Sequence, residues 1–323
     1  MRPEVAIESV LAQAFTVPTD RPEADGTIAW NATTLVLVEI AGGGKSGIGY
    51  TYSNACIVEL IRTKLAETIR GQNVLAPQAA FAAMRRAVRN LGREGLAATA
   101  ISAVDAALHD LKARLLGVPL VSLLGAYRTS VPIYGSGGFT TYSDHELEEQ
   151  LGGWVTEQGC AFVKMKVGSE PARDPHRVTV AKRAIGNATL FVDANGAYGP
   201  KQAIALAGKF ADQGVGWFEE PVSSDDLAGL AIVRQHAPTG MEVAAGEYAY
   251  TTDYVRAMLQ QAAVDVQQAD ATRCGGYTGF LQIAALCDAF HIDLSGHCAP
   301  ALHLHVACAA PRLRHLEWFH DHV

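Results

Sequence analysis

The sequence predicts an α/β fold in which a barrel of eight parallel strands follows a smaller α+β unit. From residue 130 onward, short apolar runs recur about every 25 residues, which is the repeat of a (β/α)₈ barrel. Before residue 130, strand patterns come first and helical patterns follow, which is typical of an α+β unit. A doubly wound open sheet is the alternative, but no GxGxxG turn follows the first strand, which disfavours it.

The first unit begins with a predicted pair of strands. TTLVLVEIAGG at residues 33–43 predicts a strand that enters a glycine-rich turn, and GIGYTYS at residues 47–53 predicts its hairpin partner. Two helical patterns follow, NACIVELIRTKLAETIRG and PQAAFAAMRRAVRNLG. A third begins at Leu96, and Gly117-Val118-Pro119 ends it, because glycine and proline stop helices.

The second unit consists of the repeated apolar runs. Taken as strands in chain order, they are VPIYGS, AFVKMKV, ATLFVDA, GVGWFEE, MEVAAGE, AVDVQQAD, HIDLSGH and LRHLEWF. Segments with helical spacing separate them, for example PKQAIALAGKFADQG and TGFLQIAALCDAFH. Strands that alternate with helices in this way predict parallel strand pairing.

Composition excludes several classes of partner. The sequence has 323 residues with 26 Lys+Arg against 33 Asp+Glu, a net charge of −7. This acidic balance, without a dense basic run, disfavours nucleic acid and anionic membrane surfaces as partners. The N-terminus lacks the apolar region of a signal peptide, and no apolar stretch reaches about 18 residues, so we expect no membrane span. The six cysteines are scattered without a CxxC pair, which predicts free thiols in a cytoplasmic protein.

Two lysines lie close together in the second predicted strand. In FVKMKVG, residues 162–168, Lys164 and Lys166 face the same side because successive side chains of a strand alternate. At the rise of a strand they are about 7 Å apart. Lysine is rarely buried without a partner, so the pair predicts a site that requires positive charge. The alternative is a surface strand on which both lysines are solvated.

Polar residues also occupy the carboxyl ends of the other strands, where barrels of this type carry their chemistry. From the second strand to the eighth they are Lys164 and Lys166, Asp193 and Asn195, Glu219, Glu247, Asp270, His297, and Glu317. Asp193, Glu219 and Glu247 lie one βα unit apart and would repel one another unless a cation joined them. An all-oxygen ligand set favours a hard ion such as Mg²⁺. Each carboxylate could instead cap a helix or pair with an arginine, although three in register favour the metal site.

Asp270 and His297 end neighbouring strands. A carboxylate beside an imidazole fixes its tautomer and raises its basicity, so His297 is a candidate general acid and base. His303 and His305 are two residues apart in a helical run and face different directions, so we expect structural roles for them. Glu220 should point away from Glu219 on the strand, which favours a supporting role over a ligand role.

These residues occur within motifs that resemble a known family. The motifs are KMK, VDANGAY, WFEEP, AAGE, QADATRCGG, SGHCAP and HLEWF, and DAALHDLKARLLGVPLVSLLGA precedes them. In this order they resemble the enolase superfamily, specifically its mandelate racemase-like branch, and within it the acid sugar dehydratases. The resemblance covers nearly the whole chain. It implies a (β/α)₇β modified TIM barrel at residues 129–323, an N-terminal α+β capping domain at residues 1–128, and a homo-oligomer.

The resemblance also implies roles for the residues at the strand ends. Asp193, Glu219 and Glu247 would bind Mg²⁺. Lys166 would be a base, and the His297–Asp270 dyad would act on the opposite face of the substrate. Lys164, Asn195 and Glu317 would contact the substrate, the first and last of these through its carboxylate.

Two features depart from the family pattern. Its members usually continue past the eighth strand with a tail that returns to the capping domain, whereas this sequence ends at Val323, so we expect the tail to be absent. The capping segment VPTDRPEADGTIAWNATT matches no substrate signature.

The chemistry shared by the family is removal of the proton α to a carboxylate. Mg²⁺ would neutralise the charge that develops, and Lys164 would add a second positive contact. Together they are expected to lower the pKa of Lys166 by repulsion between like charges.

The leading prediction of function is dehydration of a sugar acid, an aldonate or aldarate, because the acid and base groups lie on two sides and the capping segment is polar. The alternative is a racemase or epimerase of a 2-hydroxy acid or a related carboxylate. A cycloisomerase is disfavoured because those relatives mostly place a lysine opposite the lysine base. A barrel that only binds or assembles is disfavoured by the complete set of metal and acid/base residues.

Overall fold

The structure is a computed structural model that describes residues 4–323. Its N-terminal part is an antiparallel sheet of three strands covered by helices. The strands are β1 (Ser9–Ala24), β2 (Ala29–Gly42) and β3 (Lys45–Tyr52), in that order across the sheet. The helices are α1 (Ile57–Leu60), a π-helical turn (Ile61–Leu65), α2 (Ala66–Ile69), α3 (Pro77–Ala87), α4 (Leu96–Leu116) and α5 (Leu120–Leu124). Helix α4 ends at Gly117, whose φ of 67° is the left-handed conformation that glycine adopts readily.

The remaining strands form a closed parallel barrel. They are β4 (Ile133–Gly137), β5 (Phe162–Lys166), β6 (Thr189–Asp193), β7 (Val215–Glu219), β8 (Glu242–Ala245), β9 (Val266–Ala269), β10 (Asp293–Gly296) and β11 (Leu313–Phe319). The helices between them are α6 (Asp144–Thr156), α7 (Asp174–Ile185), α8 (Pro200–Ala211), α9 (Leu227–His236), α10 (Thr252–Gln260), α11 (Gly276–Phe290) and α12 (Pro300–Ala309). A 3₁₀ turn, His320–His322, follows β11. Seven βα units and a final strand confirm the predicted (β/α)₇β barrel, and each predicted apolar run contains one barrel strand.

The barrel strands are buried on both faces. Outward-facing residues such as Val163, Met165 and Val192 pack beneath the surrounding helices. Inside the barrel, Phe191 stacks on Trp217 with ring centroids 5.0 Å apart. This aromatic layer fills the lower part of the barrel, so the polar residues at the strand ends lie above a packed floor.

The sequence patterns do not predict strand β1, and the capping segment at residues 17–34 has no predicted strand or helix before Thr33. From Ala14 to Pro18 the strand is exposed on both faces, so it lacks the alternation of apolar and polar residues that identifies a half-buried strand. It is the edge strand of its sheet, and its pairing with β2 is irregular between Pro18 and Glu23. We call β1, β2 and the turn between them the capping hairpin.

The turn of the capping hairpin touches the mouth of the barrel. Asp25 Oδ1 accepts hydrogen bonds from the amides of Thr27 at 2.6 Å and Ile28 at 2.8 Å, which fixes the turn. Gly26 lies so close to the barrel that an added Cβ would be 2.5 Å from Ala194 O and 2.6 Å from Val167 O. The turn therefore covers the ends of β5 and β6.

Helix α4 joins the two parts of the molecule. Buried Asp105 accepts hydrogen bonds from Thr278, from its amide at 2.9 Å and its hydroxyl at 2.7 Å. Ser102 Oγ accepts one from the amide of Gly275 at 2.8 Å. The predicted boundary between residues 128 and 129 falls between α5 and β4, and as a domain limit it stays a prediction.

Each of the six cysteines is a free thiol in the structure. Among residues 4–323, no helix combines the length and the apolar character needed to span a bilayer.

Candidate active site

Three carboxylates meet at the carboxyl ends of neighbouring barrel strands. Asp193 and Glu219 are the last residues of β6 and β7 and are paired in register, and Glu247 follows β8. One oxygen from each lies within 4.8 Å of the others, and all three side chains are buried. The sequence analysis predicted these three residues as a group, and the fold brings them together.

The carboxylate cluster fits a hard divalent cation. Burial, and then the charge of Asp193, raises the pKa of Glu219 to about 8, which reflects the repulsion within the cluster. Glu247 Oε2 is buried and has no hydrogen-bond donor among residues 4–323. An all-oxygen donor set with an unpartnered oxygen suits Mg²⁺, which prefers oxygen ligands.

Both lysines of β5 face this cluster and are buried, so the alternative of a solvated surface strand was wrong. Lys166 Nζ lies 2.6 Å from Asp193 Oδ2. Lys164 Nζ lies 3.3 Å from the same oxygen, 2.8 Å from Glu317 Oε1, and also pairs with Glu219. Lys164 thus contacts carboxylates of the chain, and a direct contact with a substrate would require it to release one of them.

The pKa of Lys166 is raised when the carboxylate cluster holds no cation, whereas the predicted lowering assumes bound Mg²⁺ and stays a prediction. Burial acts to lower this pKa, and Lys164 acts in the same direction, but the adjacent Asp193 carboxylate outweighs both. The sequence could not provide this result because it depends on the distance between Lys166 and Asp193.

Glu317 connects the last strand to the lysines. Its Oε1 accepts a hydrogen bond from Ser136 Oγ at 2.5 Å, and its Oε2 accepts one from the Cys298 amide at 2.9 Å. Burial acts to raise the pKa of Glu317, but the Lys164 ammonium holds it well below its usual range. Glu317 is therefore an ionised member of the site.

The predicted dyad is formed. His297 Nδ1 lies 2.9 Å from Asp270 Oδ2, and Asp270 Oδ1 accepts a hydrogen bond from the amide of Thr272 at 2.7 Å. Burial opposes ionisation of Asp270, but its hydrogen bond with His297 holds its pKa below the usual range. Burial would lower the pKa of His297, yet Glu247 and Glu317 raise it. His297 Nε2 lies 3.4 Å from Glu247 Oε2 and therefore faces the carboxylate cluster.

Three residues that sequence reasoning did not assign to the site support the dyad. His303, predicted to be structural, is fully buried, and its Nε2 accepts a hydrogen bond from the Ala271 amide at 2.7 Å. Arg273 lies 3.5 Å from Glu247 and 3.6 Å from Asp270, so it bridges the cluster and the dyad. Cys298 Sγ is 3.3 Å from His297 Nε2. The sequence marks Arg273 and Cys298 only by their positions in the chain shortly after Asp270 and His297.

Asn195 and Glu220 adopt unusual backbone conformations beside the cluster. Asn195 has a φ of 46°, and its amide donates a hydrogen bond to Asp193 Oδ1 at 2.9 Å. Its side-chain Oδ1 is buried and has no donor in the part of the chain that the structure describes. Glu220 has a φ of 38° and is buried. Burial, and then the charge of Glu247, raises its pKa well above the usual value. It lies outside the group of three ligand oxygens, which agrees with a supporting role.

The capping domain also approaches the dyad side of the site. The ring of Tyr52 in β3 stacks on His322, with centroids 3.5 Å apart. The Ala299 amide donates a hydrogen bond to His322 Nδ1 at 3.3 Å, one residue beyond Cys298. Residues from both parts of the molecule therefore enclose the carboxyl end of β10.

Two family models match this chain. One, described as Enolase C-terminal domain-like, matches residues 146–323. The other, described as Mandelate racemase / muconate lactonizing enzyme, N-terminal domain, matches residues 11–125. Together they span both the capping sheet with its helices and most of the barrel.

Relatives with known activities act on several substrates. The chain is 33% identical to L-talarate/galactarate dehydratase of Salmonella typhimurium over 295 residues, which cover 88% of this chain and 73% of the relative. It is 31% identical to 3,6-anhydro-alpha-L-galactonate cycloisomerase of Streptomyces coelicolor over 320 residues, which cover 96% of this chain and 88% of the relative.

Solved structures agree with this placement. A mandelate racemase/muconate lactonizing enzyme-like protein from Rubrobacter xylanophilus is 50% identical, with a TM-score of 0.96 and coverage of 98% of this chain and 88% of that protein. A variant of L-talarate/galactarate dehydratase liganded with Mg and L-glucarate is 29% identical, with a TM-score of 0.90. The match covers 98% of this chain and 82% of that protein.

Proposed function

The chain belongs to the mandelate racemase-like branch of the enolase superfamily, and from this membership we propose that it dehydrates a sugar acid. In this reaction the proton α to the carboxylate and the β-hydroxyl are removed, and the enol that remains becomes a 2-keto-3-deoxy acid. The substrate would be an aldonate or an aldarate.

The observation that carries the proposal is the placement of two acid/base groups at different edges of one carboxylate cluster. Lys166 Nζ lies 2.6 Å from Asp193 Oδ2, and His297 Nε2 lies 3.4 Å from Glu247 Oε2. A substrate carboxylate held at the cluster would have its α-carbon between these two groups. One group can then take the proton while the other protonates the departing hydroxyl.

Asp193, Glu219 and Glu247 would hold Mg²⁺, as their buried oxygens suit that ion. When bound, Mg²⁺ supplies Lewis-acid stabilisation of the charge that develops on the substrate carboxylate. Lys164 adds positive charge beneath the same position, and Glu317 holds Lys164 in place through their 2.8 Å ion pair.

In the proposed sequence, Lys166 or His297 takes the α-proton from the substrate. His297, oriented by Asp270, then gives a proton from Nε2 to the β-hydroxyl, which leaves as water. The Asn195 side chain, whose buried Oδ1 has no donor among the described residues, would accept a hydrogen bond from a substrate hydroxyl.

The test is a library of aldonic and aldaric acids incubated with the protein and Mg²⁺. Dehydration removes one water and forms a keto acid, which semicarbazide detects. The matched control is Lys166→Met, which removes the amine but keeps a side chain of similar length. Keto acid formed by the native protein and lost in this variant supports dehydration, whereas no product across the library contradicts it.

Racemisation or epimerisation is the second candidate, because the same Lys166 and His297 pair could remove a proton and return one on the other face. In D₂O this reaction would place deuterium at the α-carbon without loss of a hydroxyl. The cycloisomerase relative suggests a third outcome, a rearranged isomer that keeps all the heavy atoms of its substrate. Loss of water in mass spectrometry identifies dehydration, and the position of the deuterium taken up in D₂O separates the two isomerisations.

A further inference from the structure

A group of potential metal ligands that shares no residue with the carboxylate cluster or the dyad lies between the capping hairpin and the turn that follows β11. It consists of Glu23, His320 and Asp321, which we call the Glu23 cluster. One ligand atom from each residue lies within 4.8 Å of the others. Glu23 belongs to β1, whereas His320 and Asp321 begin the 3₁₀ turn after the last barrel strand, so the cluster joins the two parts of the molecule.

Glu23 presents an unpartnered oxygen to this cluster. The residue is 0% exposed, and its Oε2 accepts a hydrogen bond from Trp30 Nε1 at 2.9 Å. Its Oε1 is buried, has no hydrogen-bond donor among residues 4–323, and lies 4.0 Å from His320 Nε2. A buried carboxylate oxygen without a partner destabilises the folded chain unless a ligand satisfies it.

The surroundings of Glu23 are acidic. Within residues 4–323, its one ion-pair partner inside 4.0 Å is His320, which also lies 3.4 Å from Asp20. Burial, followed by the charge of Asp321, raises the pKa of Glu23 to about 8. Asp321 Oδ2 accepts hydrogen bonds at 3.3 Å from Trp30 Nε1 and from Thr33 Oγ1. The cluster thus collects carboxylates with neutral donors to orient them, and no lysine or arginine of residues 4–323 forms an ion pair with Glu23 or Asp321 within 4.0 Å.

We propose that Glu23, His320 and Asp321 form a second metal site, which binds a zinc-type divalent ion and fastens the capping hairpin to the end of the barrel. One imidazole and two carboxylates form a ligand set that suits Zn²⁺, and three protein ligands leave a position for water. The cluster of Asp193, Glu219 and Glu247 has no imidazole and suits Mg²⁺ instead. The second site does not depend on which reaction the first one catalyses.

The experiment titrates the chelator-treated full chain with Zn²⁺ by calorimetry in a large excess of Mg²⁺, which competes for the all-carboxylate site. One Zn²⁺ per chain is expected to bind. Glu23→Gln and His320→Asn should each weaken this binding at least tenfold, because each removes one of three ligands. Asp193→Asn should retain it, and so should His236→Asn, a matched control on an exposed histidine of α9. Co²⁺ in place of Zn²⁺ should give the strong visible absorption of a low-coordinate site, lost in Glu23→Gln.

Two results would overturn the proposal. If Glu23→Gln and His320→Asn bind Zn²⁺ as tightly as the native chain, the ion binds elsewhere. If the native chain binds no Zn²⁺ in excess Mg²⁺, the cluster is not a metal site, and Glu23 and Asp321 share a proton instead. Should Glu23→Gln fail to fold, the partly exposed His320→Asn variant decides the question alone.

Discussion

His297 Nδ1 lies 2.9 Å from Asp270 Oδ2, and the other ring nitrogen of His297 faces the carboxylate cluster. Because an ionised carboxylate accepts a hydrogen bond, this contact places a proton on Nδ1 and leaves Nε2 to exchange protons with a substrate. The two nitrogens therefore have separate tasks, one of orientation and one of chemistry.

Replacing His297 by Asn tests this division. The fold should persist, since Asn is smaller and can still donate a hydrogen bond to Asp270. If Lys166 abstracts the proton, the variant should exchange the substrate α-proton for deuterium yet form no product. If His297 abstracts it, both exchange and turnover should fall by about 10²–10⁴-fold. Full turnover would contradict the two-sided mechanism, and His145→Asn on the exposed face of α6 is the control.

Asp193→Asn is expected to weaken Mg²⁺ binding by about 100-fold or more, because it removes a charged ligand and disturbs the orientation of the others. Calorimetric titration of the chelator-treated protein with Mg²⁺ measures the effect. The exposed Asp212→Asn variant has the same change in net charge away from the site and should bind Mg²⁺ normally. Equal affinities for the two variants would show that the ion does not use Asp193.

Gly26→Ala should lift the capping hairpin from the barrel mouth. The new Cβ would lie 2.5 Å from Ala194 O and 2.6 Å from Val167 O, and neither backbone atom can move freely. We expect kcat/KM to fall at least tenfold, about 1.4 kcal/mol, while unfolding of the barrel changes little. Gly208→Ala is the matched control, because nothing lies within 4 Å of its Cβ and alanine favours the helix. An unchanged kcat/KM in Gly26→Ala would show that activity does not depend on the close contact between the capping hairpin and the barrel.

Asp105→Asn should alter how stability depends on pH. Burial raises the pKa of Asp105 from 3.8 to about 7, so between these values the folded chain holds a proton that the unfolded chain releases. The contribution of Asp105 to stability is therefore complete below about pH 4 and is lost as the pH rises through 7. Relative to the variant, the native chain should lose about 2–3 kcal/mol of unfolding free energy between pH 5 and pH 8.

Urea denaturation at the two pH values measures this difference. Burial lowers the pKa of neighbouring His109 to about 4, so His109 has the opposite pH dependence, and it is present in both proteins. If the free energy of unfolding changes with pH equally in the native chain and in the Asp105→Asn variant, the raised pKa of Asp105 is contradicted.

The barrel could be predicted because its strands repeat one simple pattern. β5, for example, is a short apolar run followed by a loop and a helix, and both of its faces are buried in the structure. Strand β1 could not be predicted in this way, because its residues from Gln13 to Pro18 are all exposed and show no alternation. Its existence depends on pairing with β2, which is a property of the folded sheet and not of the segment.

The part of the site that lies at the carboxyl ends of the barrel strands could be predicted from the sequence. Asp193, Glu219 and Glu247 could be grouped because parallel strands bring their carboxyl ends to one edge. Arg273 could not be identified, because it lies on the loop after β9 and its role depends on contacts with Glu247 and Asp270. The raised pKa of Lys166 could not be predicted either, because it depends on the distance between Lys166 and Asp193, and the spacing of residues along the chain does not specify that distance.

Glu317 lies on the last strand, yet its contacts are with Ser136 of β4 and Lys164 of β5. Strand β11 completes the barrel by pairing with both β10 and β4. During synthesis on the ribosome, about 150 further residues must therefore follow β5 before Lys164 gains this counter-charge. Until then Lys164 has only Asp193 and Glu219 as carboxylate partners and β4 lacks its neighbour β11, so the barrel cannot close. Ribosome-bound chains that stop short of β11 should consequently remain sensitive to protease long after most of the barrel has been made.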